Sequence, residues 1–235
     1  MEPEHKSGCL VCGKDLKYLP DPVAAACFYC GETHQTTAIC HDGHFVCDRC
    51  HRAPAEDIIE AFCRTTQERD PLVIAETLMD TPQVKMHGPE HHLLVPAVLL
   101  AAYYNTKGDP EGKLKKIPQA RQRAALVKGG FCGSHGACGA AVGTGIFISL
   151  VTGATPLSRD GWQLSNLVTA KSLETIALHG GPRCCKRNTF LAILTAGEFC
   201  REHLGTQFPT HEPVRCHYYA NNGECLAKDC PFFPG

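Results

Sequence analysis

Residues 87–105 read HGPEHHLLVPAVLLAAYYN, and this stretch decides the fold. From Leu93 to Tyr104 it is apolar without interruption, and Pro89 is a favoured residue in a first helical turn, so a strongly apolar helix starts near Pro89. Upstream, AEDIIEAFCRTTQER (55–69) repeats apolar residues at helical spacing, and Asp70-Pro71 begins a second helix that runs through Met79. A polar turn, Thr81 to Met86, separates these from the apolar helix. Downstream, a basic, proline-interrupted segment extends to Lys128. GGFCGSHGACGAAVGTGIFISLVTG (129–153) then joins a glycine-rich opening to an apolar run, which predicts a buried helix whose small residues allow close backbone approach. Residues 162–179 and 185–204 read as two amphipathic helices joined by HGGPRCCKR. The expected fold class is mainly α: a bundle of roughly six helices over residues 55–205, preceded by a small zinc-ribbon-like metal module (1–54) and followed by a short cysteine-rich tail (206–235).

Sixteen cysteines and thirteen histidines in 235 residues require a chemical reason, either a disulfide framework or metal ligation. Met1 to Gly8 reads MEPEHKSG and has no apolar h-region, so a cytoplasmic chain with reduced thiols is expected. Leu93–Tyr104 and Ala137–Thr152, the longest apolar stretches, are too short or too rich in glycine to span a bilayer of ~30 Å, so no membrane association is expected. A formal net charge of −1 provides no global field toward nucleic acid. Lys113, Lys115, Lys116, Arg121, Arg123 and Lys128 form a local basic run without interleaved aromatics; it reads as a solvated helix face, which disfavours nucleic acid as partner.

The region before Pro54 has too few apolar residues for a core and should need metal to fold. Cys9-x2-Cys12 and Cys27-x2-Cys30 are each followed at once by glycine, and Cys40, His44, Cys47 and Cys50 come next, with His41 and His51 as spare imidazoles. Two sulfurs three positions apart on a tight turn can share one tetrahedral ion, so eight ligands in four pairs make two zinc sites. They are arranged either sequentially or as an interleaved cross-brace, and spacing does not choose between the two. Such closed sites are structural, and the module is expected to dock a protein partner or to steady the helical domain.

A second set comprises Cys132, Cys138, Cys184 and Cys185, all in glycine-rich junctions that open helices. The helix dipole and the neighbouring Arg183, Lys186 and Arg187 favour thiolates there, and the arginines could clamp a small anionic substrate. Adjacent cysteines diverge, so three of the four are expected to hold an iron–sulfur cluster or a zinc ion, with either the fourth, Cys185 as the candidate catalytic thiol, or an open iron of the cluster facing substrate. Glu90, His91 and His92 are candidate acids, bases or ligands beside that cluster, against a reading in which they only cap the helix; His135 is a weaker candidate. The letters HxxEH at 87–91 are not a zinc-protease helix, because Gly88-Pro89 breaks the shared face. In the tail, Cys216, Cys225 and Cys230-Pro231 form a third metal set whose fourth ligand would come from Cys200, His211 or His217; Cys63 reads as a core residue.

Taken together, the CxxCG pairs, HGPEHH, CGxxGxCGAAxGxGIFxS, GGPRCCKR and the closing CxxxxCP resemble a prokaryotic family of cysteine-rich domains of unknown function, some of whose members are joined to methyltransferase-like domains. A fainter similarity connects the cysteine helices to iron–sulfur serine dehydratases and cysteine desulfidases. The resemblance implies little about activity; the second cysteine set, with Arg183 and Arg187 to orient a substrate and Glu90, His91 or His92 to move protons, predicts a metal-dependent enzyme, iron–sulfur in the preferred reading, with lyase-like or sulfur-transfer chemistry on a small anionic substrate. The other expectation is a zinc-binding adaptor docking nucleic acid or a protein through its ribbon and the 113–128 run.

Overall fold

A computed structural model describes residues 9–209 and 213–235, and among these the chain forms nine α-helices, two single 3-10 turns and one two-stranded sheet. The helices are α1 (Asp48–Arg52), α2 (Ala55–Thr65), α3 (Pro71–Met79), α4 (Glu90–Lys107), α5 (Pro110–Ala124), α6 (Phe131–Ser134), α7 (Gly139–Thr152), α8 (Asp160–Leu178) and α9 (Cys185–His203). The mainly α bundle with an N-terminal metal-module candidate and a cysteine-rich tail is therefore the observed architecture. Seven helices of nine or more residues build it, one more than the periodicity suggests. The addition is α5, whose two prolines read as interruptions.

Helix α4 is the axis of the bundle. Every residue from Leu93 to Ala102 is buried, and α2, α3, α5, α7 and α9 pack around it. Each large apolar side chain so enclosed contributes about 1.5–3 kcal/mol relative to leaving it in water. Pro96 sits inside α4, where its ring removes one backbone hydrogen bond. Gly143 of α7 lies against it, and a β-carbon at that glycine would come within 2.8 Å of the Pro96 ring. At Gly145 an added methyl would collide with the Thr169 hydroxyl of α8. The small residues of α7 thus bring three helices into close contact.

Helix α5 starts with Asp109, whose side chain accepts from the Gly112 N–H, followed by Pro110 at the first position. Its basic residues are only partly a solvated face. Lys113 is buried and its Nζ donates to the Thr66 carbonyl and to Asn105 Oδ1, both at 2.7 Å. Arg121 reaches Asp57 and Glu60 of α2, and Arg123 donates to Ser149 Oγ of α7. Half of the expected basic surface is consequently used to fasten α5 to its neighbours.

The sheet pairs β1 (Leu16–Ala26) with β2 (Thr33–Cys40) in antiparallel register, Leu16 opposite Cys40 and Ala26 opposite Thr33. Between Tyr18 and Val23 the register jumps, because Pro20 and Pro22 cannot donate to the ladder and the extra residues bulge out. The buried apolar cluster runs without a break from Tyr29 and Cys47 of the N-terminal region through α2 to α9 and on to Phe232. Among the described residues, no helix is long and apolar enough to cross a membrane.

The tight α7–α8 contact is testable. Gly145→Ala should lower stability by about 1–3 kcal/mol in urea unfolding through overpacking. Combining it with Thr169→Ala should give a loss smaller than the sum of the two single losses; strict additivity would show that the contact does not limit packing.

Candidate metal centres

The two CxxCG segments fold into the same turn. Cys9 N–H donates to the Lys14 carbonyl and Gly13 N–H to the Cys9 carbonyl, each at 2.8 Å; Cys27 N–H and the Glu32 carbonyl, Gly31 N–H and the Cys27 carbonyl repeat this at the same distances. Gly13 and Gly31 have φ of 73° and 72°, a conformation that L side chains rarely adopt, which is why glycine follows each second cysteine. The turn also aims backbone donors at sulfur: Val11 N–H lies 3.4 Å from Cys9 Sγ. A related turn puts Asp42 N–H 3.3 Å from Cys40 Sγ, and Cys47 caps α1 so that Cys50 lies one turn along.

These pieces converge in two tetrads. Cys9, Cys12, Cys40 and His44 form one, and Cys27, Cys30, Cys47 and Cys50 the other; within each, the candidate ligand atoms all lie within 4.8 Å of one another, so either could hold a metal ion. First pair joins third and second joins fourth, which is the cross-brace and not the sequential arrangement. A tetrahedral ion with metal–sulfur bonds of about 2.3 Å sets its sulfurs about 3.8 Å apart. Cys12 and Cys40 stand at 3.5 Å and Cys30 and Cys47 at 3.9 Å. Nδ1 of His44 is buried with no hydrogen-bond partner, as a nitrogen aimed at an ion would be. Burial pushes the Cys27 thiol up, but the N–H groups of Cys47, Cys30 and Tyr29 outweigh it and bring it down to about 7, toward the thiolate. Cys30 also lies within reach of Glu32 and His34, yet Glu32 is taken by Arg49 at 2.7 Å on an exposed face. The spare His41 and His51 belong to neither tetrad.

The tetrads do not form a free appendage. Phe28 stacks on Phe62 of α2 at 5.5 Å, Tyr29 is buried beside it, and the Tyr29 carbonyl accepts from the Thr65 hydroxyl at 3.2 Å. The second tetrad thus rests directly on the helix that opens the bundle.

The second set of cysteines divides. Cys184 N-caps α9 in extended conformation and Cys185 is the first helical residue, so their side chains leave in different directions. Cys184 lines a small pocket with Cys216, Cys225 and Cys230. Cys185 turns toward the Gly88 N–H and Cys138; burial pushes its thiol up to about 11 against the pull of that N–H. Cys138 accepts from Asn188 Nδ2 at 3.4 Å, and Cys132 is exposed on α6. Of these four, Cys184 thus shares a pocket with the tail cysteines, Cys185 faces Cys138, and Cys132 lies at the surface.

The candidate acids and bases serve the backbone. Glu90 Oε1 accepts from the Lys85 N–H at 2.8 Å. His91, fully enclosed, has Nε2 on the Lys85 carbonyl at 3.1 Å and Nδ1 on the Thr189 hydroxyl at 2.9 Å; burial, then the nearby Lys186, lowers its pKa to about 3. His92 Nδ1 donates to the Val127 carbonyl at 2.9 Å, with its ring against Gly139. Arg187, a candidate anion clamp, is buried and donates to the carbonyls of Gly180 (2.7 Å) and Pro182 (3.1 Å), while Lys186 Nζ donates to those of Met79 (2.6 Å) and Val84 (3.1 Å). Arg183 is exposed. The ring of His135 packs on Phe131. Of the proposed fourth ligands for the tail, Cys200 is wholly buried in the core, as is Cys63; His217 pairs with Asp80 at 2.7 Å; His211 lies outside the described residues. Asn222 and His87 were not anticipated: Asn222 Nδ2 lies 3.7 Å from Cys184 Sγ, and its Oδ1 accepts from His87 Nε2 at 3.1 Å.

The model of a family of unknown function, DUF5714, matches residues 59–233, and the chain belongs to that family. No curated protein and no solved structure matched the chain.

His91 gives a pH prediction. Its pKa falls from the ordinary 6.5 to about 3 on folding, so the unfolded chain binds the extra proton between those values and stability is lost as pH drops below 6.5. By pH 5 the loss from this residue should be about 2 kcal/mol. Urea midpoints measured across this range should slope less for His91→Gln than for the wild type; equal slopes would contradict the assignment.

Proposed function

We propose that this member of the family is a zinc-stabilised binding protein, in which the cross-brace fixes an exposed β-ribbon against the helical bundle so that a protein partner can dock on it. The closure of the two tetrads carries this reading. Each supplies four protein ligands, and sites that keep no position for water or substrate are structural ones. Thiolates with one imidazole are donors suited to zinc, and the sulfur separations of 3.5 and 3.9 Å suit one ion per tetrad. Held at both ends by tetrads, β1 and β2 are each an edge strand, and Tyr18 on β1 is 78% exposed. An open backbone edge with an exposed aromatic favours a partner that adds a strand.

Nucleic acid has less support, since Lys113, Arg121 and Arg123 are engaged with groups of neighbouring helices. Lyase-like or sulfur-transfer chemistry on a small anion also has less support. Glu90 and His91 are held by the Lys85 backbone, and Arg187 by the carbonyls of Gly180 and Pro182, so neither proton transfer nor anion binding has a free group among them.

Metal analysis decides the first half. The double variant Cys12→Ser, Cys27→Ser should contain about two equivalents less zinc than the wild type. It should also become protease-sensitive within residues 9–50 while the helical circular dichroism signal persists. A photo-crosslinking residue at position 18 should capture a discrete protein only while zinc is bound. Unchanged zinc, or capture indifferent to zinc, would sink the reading.

A further inference from the structure

We propose that Cys184, Cys216, Cys225 and Cys230 form a third metal centre, a four-thiolate site that binds a [4Fe–4S] cluster or a zinc ion and staples the tail to the bundle. It stands apart from the ribbon's role, since it uses none of the tetrad ligands.

The geometry brings together thiols far apart in the sequence. Cys184 comes from the start of α9 and the other three from an irregular segment, and all four line one pocket with Met86, Phe190 and Phe232. Backbone donors are already aimed at the sulfurs. Arg187 N–H lies 3.4 Å from Cys184 Sγ and Ala227 N–H 3.3 Å from Cys225 Sγ. The second repeats the N–H of the residue two positions on that the CxxCG turn directs at Cys9, so the tail uses the backbone device of the tetrads. Ala227 holds φ of 47°, the only non-glycine residue at positive φ among the described residues, and strain of that kind persists where surroundings over-determine it.

Two further features suit a thiolate centre. Arg187 lines the pocket and brings a fixed positive charge beside four potential negative ones, and Asn222 directs its amide at Cys184. The tail from Val214 has only two single 3-10 turns, closed by the Cys216 N–H on the Phe232 carbonyl at 2.7 Å and anchored by Phe232 against Phe190. So little regular structure and apolar burial is the condition in which small segments rely on metal.

Shared thiolate chemistry leaves two occupants. Among the described residues, the ligand sets that all lie within 4.8 Å are the two tetrads and Cys30, Glu32 and His34; the four tail sulfurs stand wider. A wider ring is the direction of a cubane, in which each thiolate takes a different iron, and cysteine followed by proline also closes ferredoxin-type loops. With four protein thiolates, no iron would be left open to a substrate.

The test is metal content of the full chain, purified anaerobically and then offered equal ferrous and ferric iron with sulfide in one arm and zinc in the other. The site is supported if the wild type takes up iron and labile sulfide with visible absorption, which assigns the cluster, or one further zinc, which assigns the ion. In either case Cys184→Ser and Cys225→Ser should lose that metal alone, with helical circular dichroism unchanged, while Cys132→Ser and Cys200→Ser retain it. The double variant Cys12→Ser, Cys27→Ser should keep the tail metal, which separates failure here from failure of the zinc cross-brace. Metal confined to the tetrads, or tail metal that survives both Cys184→Ser and Cys225→Ser, overturns the proposal.

Discussion

Helix α4 is surrounded on every side, and the rest of the molecule follows from that enclosure. A helix apolar around its whole circumference cannot lie on a surface, so five others must cover it. The cost falls on its polar N-terminal end. Glu90, His91 and His92 are drawn to the rim of the core, where an unsatisfied polar atom would cost about 1–3 kcal/mol, and each finds a backbone partner. The first two pins hold Lys85, and Lys186 of α9 donates to the Met79 and Val84 carbonyls of the same segment, while Arg187 ties the loop before α9 through Gly180 and Pro182. The polar residues of this end thereby fasten the buried helix to neighbouring backbone.

Much of the fold was legible because its signals are local. Asp70-Pro71 states a cap and a first turn, and the Asp70 carboxylate does accept from the Leu72 N–H. The glycines of 139–145 indicated close packing and provide it. Helix α5 was obscured by Pro110 and Pro118, since a proline in the first turn and one inside read alike as breaks. The inward use of Lys113 and Arg121 was hidden because their partners, Thr66 and Asp57, belong to another helix.

At the metal centres the division is the same. The CxxCG turns are written in five neighbouring residues, glycine included, so the ligand pairs could be read. Which pair joins which depends on how β1 and β2 fold back, and that is a property of the whole module. The second cysteine set shows the limit most clearly. That Cys184 and Cys185 diverge was foreseeable from adjacency alone; that Cys184 meets residues more than thirty positions later, while Cys132 stays at the surface, was not.

Interleaving of the two tetrads has a kinetic side. An ion at either tetrad would gather its four ligands only once the ribbon has closed, because the chain passes from the first tetrad to the second and back before either is complete. Loading one ion therefore positions half the donors for the other, so metal capture should be cooperative and release correspondingly slow. An assembly of that kind is filled or empty as a unit, and partially metallated chains would be scarce.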